Sequence, residues 1–126
     1  MRTIIAGSRN ITDSALLDSA LADAQARGLV ISEVVSGTAR GVDRLGEAWA
    51  QAHHVPVKQF SPDWDRYGKR AGLVRNEEMG RYADAVLLLW DGVSRGTAHM
   101  ANVAATQGIR HRYLYMIQGG QLIRWS

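Results

Sequence analysis

Residues 84–90, Asp-Ala-Val-Leu-Leu-Leu-Trp, constrain the fold more than any other stretch of the chain. Their nearly unbroken apolar character suits a central parallel strand covered on both faces. On either side, strand-like and helix-like segments alternate. Short apolar runs fall at 2–6, 30–36 and 57–60, and helical spacing falls at 13–27, 42–53, 71–82 and 96–107. In the first helix Leu17, Ala20, Leu21 and Ala24 share a stripe; in the second, Val42, Leu45, Ala48, Trp49 and Ala52 are expected inside, as is Trp90. The 71–82 helix is the least periodic and the most polar, and 61–70 reads as a polar loop. Residues 112–117 and 121–125 flank Gly119-Gly120 and predict a terminal hairpin with a primed turn. Alternation at this spacing requires right-handed crossovers and a parallel sheet. The expected architecture is a three-layer α/β sandwich, mostly parallel, with a C-terminal antiparallel hairpin. Ligands of such sheets lie beyond the carboxyl ends of the strands, where strand order reverses.

The chain has 126 residues and no linker, charge block or repeat, so 1–126 reads as a single domain. At 46% hydrophobic it can build a core. No run of about eighteen apolar residues predicts a membrane span, and the N-terminal apolar stretch is too short for a secretory signal. The absence of cysteine excludes a disulfide scaffold, thiolate zinc sites and cysteine nucleophiles; it fits a reducing compartment or indifference to redox, and the expected location is cytoplasmic. The net charge of +3 is mild, but 13 of the 15 basic residues are Arg. Arginine offers a planar fork of donors suited to phosphate and carboxylate.

The arginines gather at the strand-to-helix junctions. These are Gly7-Ser8-Arg9, Ser36-Gly37-Thr38-Ala39-Arg40-Gly41-Val42-Asp43, the 61–76 segment with Arg66, Lys69, Arg70, Arg75 and Asn76, and Asp91-Gly92-Val93-Ser94-Arg95-Gly96-Thr97. Glycine lets a backbone approach a ligand, and a helix N-terminus offers free N–H groups to an anion. Ser8, Ser36, Thr38, Ser94 and Thr97 add hydroxyls. One Gly-rich turn alone is as readily a tight turn as a ligand site; four on one rim point to a phosphate-bearing ligand. Neither GxxxxGK[ST] nor GxGxxG is present, which argues against a P-loop ATPase and an ordinary dinucleotide dehydrogenase.

Single residues carry alternatives. Arg40 reads as a phosphate ligand, or as a surface arginine paired with Asp43 or Asp63. Asp43 caps its helix, or holds Arg40 or Arg9 in place. Arg75 and Asn76 serve a ligand or a partner, or form a solvated face with an Arg75–Glu78 pair. Trp64 and Tyr67 stack on a base, plug the edge of the core or face an oligomer partner. The polar 71–82 helix and the hairpin are the candidate homo-oligomer surfaces. Adjacent His53 and His54 face different directions on a helix, and His99 and His111 have no spaced partners, so no metal site is expected.

Gly7-Ser8-Arg9, Ser36 to Asp43, Arg75-Asn76 and Gly96-Thr97 together resemble the SLOG superfamily, which includes DNA-processing protein A and the LOG (Lonely Guy) nucleotide hydrolases. The likeness is greatest to the small bacterial and phage branch related to YspA and YpsA, and it spans Gly7 to about Gly108. It implies a Rossmann-like fold of strand order 3-2-1-4-5 and a site for nucleotides or their derivatives. In the hydrolase branch the signature is Gly-Gly-x-Gly-Thr-x-x-Glu plus an upstream Arg, which Arg75 can match. Here the carboxylate position falls on Met100, which supplies no charge for an N-glycosidic cleavage. Glu77, Glu78, Asp43 and Asp91 are the acids that could substitute, and Arg75 and Glu78 are the catalytic candidates. The DNA-processing branch shares Ser-Gly-x-Ala-Arg-Gly-x-Asp and Arg-Asn, and binds single-stranded DNA. The expectation is a protein that binds a nucleoside phosphate, ADP-ribose or NAD-like ligand and needs no other cofactor. The alternatives are a nucleotide phosphoribohydrolase or nucleosidase, and a single-strand DNA binder.

Overall fold

A computed structural model of the chain describes residues 1–125; Ser126 lies outside the described residues. Six strands form one sheet: β1 (Arg2–Gly7), β2 (Glu33–Ser36), β3 (Val57–Gln59), β4 (Ala85–Trp90), β5 (His111–Gln118) and β6 (Gln121–Arg124). Their order is β3-β2-β1-β4-β5-β6. The first five are parallel and β6 returns antiparallel to β5. This is a Rossmann-like α/β fold with the expected order, extended by the hairpin.

The run at 84–90 is the centre of the sheet, and its residues alternate between two cores. Leu87 and Leu89 face one side with Ile5, Val34 and Tyr115. Val86 and Leu88 face the other with Ile4, Ala6 and Val35. The first side is covered by α1 (Ser14–Ala26) and α2 (Val42–Ala52), the second by α4 (Ala71–Tyr82) and α5 (Arg95–Thr106). Leu17, Ala20, Leu21 and Ala24 are buried as the stripe on α1 requires. Asp13 starts that helix, its side chain accepting the Ala15 N–H at 2.9 Å.

Three readings of the sequence need correction. On α2, Ala48 and Ala52 are exposed and Leu45 and Trp49 only half-buried, while Val42, Asp43, Gly46 and Ala50 are buried. The inward face turns toward β1, where a Cβ on Gly46 would stand 2.7 Å from Ile5 Cγ2. Trp90 is likewise half-buried and stacks on Trp125 at 5.0 Å. The 61–70 loop holds a single-turn helix, α3 (Trp64–Tyr67), and a 3-10 turn (Gly68–Arg70). Asp63 caps α3 by accepting the Arg66 N–H at 3.1 Å, a local signal that apolar periodicity does not register.

The hairpin turn has φ of 56° at Gly119 and 75° at Gly120, the pair of left-handed residues a type I′ turn demands. A charged cluster fastens it to α1. Tyr115 and Arg124 donate to Asp23 at 2.6 and 2.7 Å, and Arg27 donates to the Tyr115 hydroxyl at 2.8 Å.

Candidate functional site

The order reverses between β1 and β4, and their register sets Gly7 beside Leu89 at the carboxyl ends. Three loops converge there, packed too closely for side chains at two glycines. A Cβ on Gly7 would fall 2.2 Å from the Leu89 carbonyl oxygen. Gly41, with φ of 77°, would place a Cβ 2.4 Å from the Ser8 carbonyl oxygen. The β2–α2 loop is thus pressed onto the β1–α1 loop.

Several of the predicted site residues build this scaffold from behind. Ser8 is buried, and its Oγ accepts the Asp91 N–H at 3.0 Å. Ser36 is buried too; its hydroxyl donates to Glu47 at 2.6 Å and accepts the Thr38 N–H at 3.1 Å. That bond holds Thr38 at φ of 66°, a left-handed conformation costing a non-glycine residue about 1 kcal/mol or more. Asp91 accepts the N–H groups of Val93 and Ser94 at 2.9 and 2.8 Å. Burial raises its pKa, but those amides, Ser8 and Asn10 outweigh it and hold the carboxylate below its usual range.

In front of the scaffold lies a cleft of two adjoining lobes that share Arg9, Ala39 and Arg75. The inner lobe, about 290 Å³, has an apolar floor of Ala6, Met79 and Met100. Its polar wall carries Asp43, Asn76, Ser94, Gly96 and Thr97, and Gly7 borders it. The outer lobe, about 450 Å³, lies under Gly37, Thr38, Arg40, Arg44 and Trp64. Gly37 passes between two charged side chains: a Cβ there would meet Arg75 Nη1 at 2.6 Å and Asp43 Oδ2 at 2.9 Å.

Polar groups of the inner lobe are held in place by one another. Arg75 donates to the Gly37 carbonyl oxygen and, at 2.9 Å, to Asn76 Oδ1. Asn76 Nδ2 donates to the Gly96 carbonyl oxygen at 3.3 Å and lies 3.1 Å from His99 Nδ1. Asp43 accepts the Ala39 N–H at 3.2 Å. Burial pushes the Asp43 carboxyl up to about 6, with Glu47 adding to the rise, against the pull of the Ala39 and Gly7 amides and of Arg75. Burial and the nearby charge of Arg9 lower the pKa of Arg75, and Asp43 opposes them. At the start of α5, Ser94 caps the helix through Thr97, and the amides of Arg95 and Gly96 have no intrahelical acceptor. Gly96 has neither a positive φ nor any atom within 4 Å of a Cβ built on it, so the fold itself does not require glycine there.

The two lobes differ in charge. In the outer lobe Arg9, Arg40, Arg44 and Arg75 face the space without a carboxylate among the lining residues. The ion pairs among the described residues, Arg2–Asp84, Arg27–Asp23 and Arg124–Asp23, all lie elsewhere. The alternative pairs, Arg40 with Asp43 or Asp63 and Arg75 with Glu78, are therefore not formed. Glu77 and Glu78 are exposed on α4 and line neither lobe, and Asp91 lines neither; of the substitute acids only Asp43 reaches the cleft. Among the described residues no three His, Cys, Asp or Glu side chains gather as metal ligands.

Sequence reading missed Arg44, Met79 and the true place of Met100. Arg44 lies in the first turn of α2 and Arg40 in the loop before it, and both line the outer lobe. Met100 follows Gly96 by the same interval, and the structure uses it as floor rather than as a reacting group. No helix among the described residues is long and apolar enough to cross a membrane.

A family model described as YAcAr, the YspA, cpYpsA-related SLOG family, matches residues 1–67, which include the β1–α1 and β2–α2 loops. A protein of Mycobacterium phage D29, named Gene 61 protein, is 38% identical over 114 residues, 86% of this chain and 91% of the phage protein. No solved structure matches the chain.

Proposed function

Since the chain belongs to the YspA, cpYpsA-related SLOG family, whose membership points to a nucleotide-related function, we propose that the cleft binds a nucleotide or nucleotide-derived ligand: a nucleoside phosphate, or an ADP-ribose or NAD-like molecule. The observation that carries this reading is a switch-point cleft whose outer lobe is lined by four arginines and no carboxylate, only Arg75 having an acid, Asp43, close behind it. The start of α5 offers a second anion-binding element: unpaired amides, the hydroxyls of Ser94 and Thr97, and the bare backbone of Gly96, against which a phosphate can lie. The floor of Ala6, Met79 and Met100 suits an uncharged ring. Trp64, 53% exposed, is the one aromatic lining the outer lobe and can stack on a base. Non-specific single-strand binders stack successive bases on several aromatics, so a short ligand fits this cleft better than single-stranded DNA.

Titration calorimetry with nucleoside mono- and diphosphates, ADP-ribose and NAD is the test. Saturable binding that Arg9→Ala weakens is expected; absence of heat with every member of the panel overturns the reading.

Asp43 favours one further reading, an N-glycosidic hydrolase. It is a buried carboxyl at the cleft wall whose pKa, about 6, suits proton transfer near neutral pH. Release of free base from nucleoside monophosphates, followed by chromatography and abolished in Asp43→Asn, is its expected sign. No release at high protein concentration leaves binding alone.

A further inference from the structure

We infer that the outer lobe is a subsite for a second anionic group, with Arg44 and Arg40 as its specificity-determining residues. The ligand is then a nucleotide whose phosphate chain extends beyond the group held at the start of α5, as in a nucleoside diphosphate or its pyrophosphate-linked derivatives. The inference rests on the nucleotide reading above and deepens it.

The inner lobe has its own anion-binding element at α5, yet also carries Asp43, which limits how much negative charge it can accept once ionised. Arg9 and Arg75 stand at the boundary and face both lobes. Arg75 is anchored there by Gly37 and Asn76, so its remaining donors are presented from a fixed position. Beyond that boundary Arg40 and Arg44 are exposed, donate no side-chain hydrogen bond to another described residue and line a space with no acid. An isolated monophosphate at α5 would leave this outer space unfilled. A chain of two phosphates starting at α5 would pass Arg9 and Arg75, which line both lobes, before reaching Arg40 and Arg44. The inner lobe, about 290 Å³, sits at the floor of the roughly 300–1,000 Å³ typical of ligand pockets, so a larger ligand needs both lobes.

Arg44 is placed by helix geometry. It lies in the first turn of α2 while Arg40 lies in the loop before it, so one anion can be gripped from both sides. A planar fork at each position favours phosphate over a simple point charge.

The experiment compares AMP, ADP, ADP-ribose and inorganic pyrophosphate by calorimetry on the wild-type chain and on the Arg40→Ala/Arg44→Ala double variant, with Arg44→Lys as the conservative control. Both arginines are on the surface, and circular dichroism and melting confirm that each variant is folded. The expected result is ADP and ADP-ribose binding about tenfold or more tighter than AMP, the increment given by charge-assisted hydrogen bonds. The double variant is expected to erase that increment, so that ADP and ADP-ribose bind no tighter than AMP, and Arg44→Lys to keep part of it. Equal affinity for AMP and ADP, or a double variant that weakens both alike, overturns the subsite and leaves the nucleotide reading standing. Pyrophosphate binding that depends on Arg40 and Arg44, with no nucleotide bound, keeps the subsite and removes the nucleotide reading. No binding of any probe removes both.

Discussion

At the hairpin, Arg27 and Arg124 converge on one carboxylate, Asp23; at the cleft, Arg9, Arg40 and Arg44 converge on none. The hairpin cluster is closed. Asp23 is held below the usual carboxylate range, first by the Tyr115 hydroxyl and then by Arg124 and Arg27, and Arg27 also lies over the Tyr113 ring at 4.9 Å. Such a cluster fixes two strands to a helix and leaves little capacity for a ligand. The cleft arginines keep their donors free, and the buried groups behind them are satisfied by one another. The same residue type therefore serves adhesion at one end of the molecule and reception at the other, and the difference lies in whether an acid is supplied with it.

Asp23→Ala is expected to lower stability by about 3 kcal/mol, because it strands Arg124 and the Tyr115 hydroxyl. Chemical denaturation measures this, and nucleotide affinity should not change; a stable variant would deny the cluster its structural role.

Asp43 gives a pH signature of nearly that size. The folded protein holds its proton up to about pH 6, whereas the unfolded chain releases it near 3.8. Its contribution to stability therefore falls as pH rises through that window and is level above it, a change of at most about 2–3 kcal/mol. Denaturation midpoints for wild type and Asp43→Asn, taken from pH 4 to pH 7, are expected to converge or cross in that interval. A constant difference between them contradicts the buried carboxyl.

Arg9→Ala is expected to weaken nucleotide binding at least tenfold, about 1.4 kcal/mol, while changing the melting behaviour by less than about 0.5 kcal/mol. A large loss of stability would move Arg9 to the adhesive class. Gly96→Ala has the smallest expected effect on folding, neutral to about 1 kcal/mol stabilising, since glycine is disfavoured in a helix and the added Cβ meets open space. The same Cβ intrudes where a phosphate would lie, so affinity should fall as stability holds or rises. Unchanged affinity would place the ligand away from α5.

The strand–helix alternation and the hairpin were legible because they rest on periodicity and glycine, whereas the strand order was implied only by the resemblance to the SLOG superfamily. Residues 85–89 are buried against the two cores, as their unbroken apolar run requires, and Gly119-Gly120 takes the conformation its turn requires. Site residues were legible as loops but not as roles. Gly7, Arg9, Asp43, Arg75, Asn76, Ser94, Gly96 and Thr97 do line the inner lobe, and Gly37, Thr38, Arg40 and Trp64 the outer. Ser8, Ser36, Gly41 and Asp91 sit behind them as scaffold, since a hydroxyl that caps a buried amide reads in sequence like one that greets a ligand. The inward face of α2 was misread because its buried positions include Asp43 and Gly46, which no apolar count would select. Arg44 required knowing which face of α2 meets the cleft.

The most direct measurement is a nitrogen–proton NMR titration of the labelled chain with ADP-ribose. The account predicts shifts concentrated at the amides of Arg9, Ala39, Arg40 and Gly96, with those of Gln118 to Gln121 in the hairpin unmoved. Shifts centred on the hairpin, or none anywhere at millimolar ligand, would contradict it.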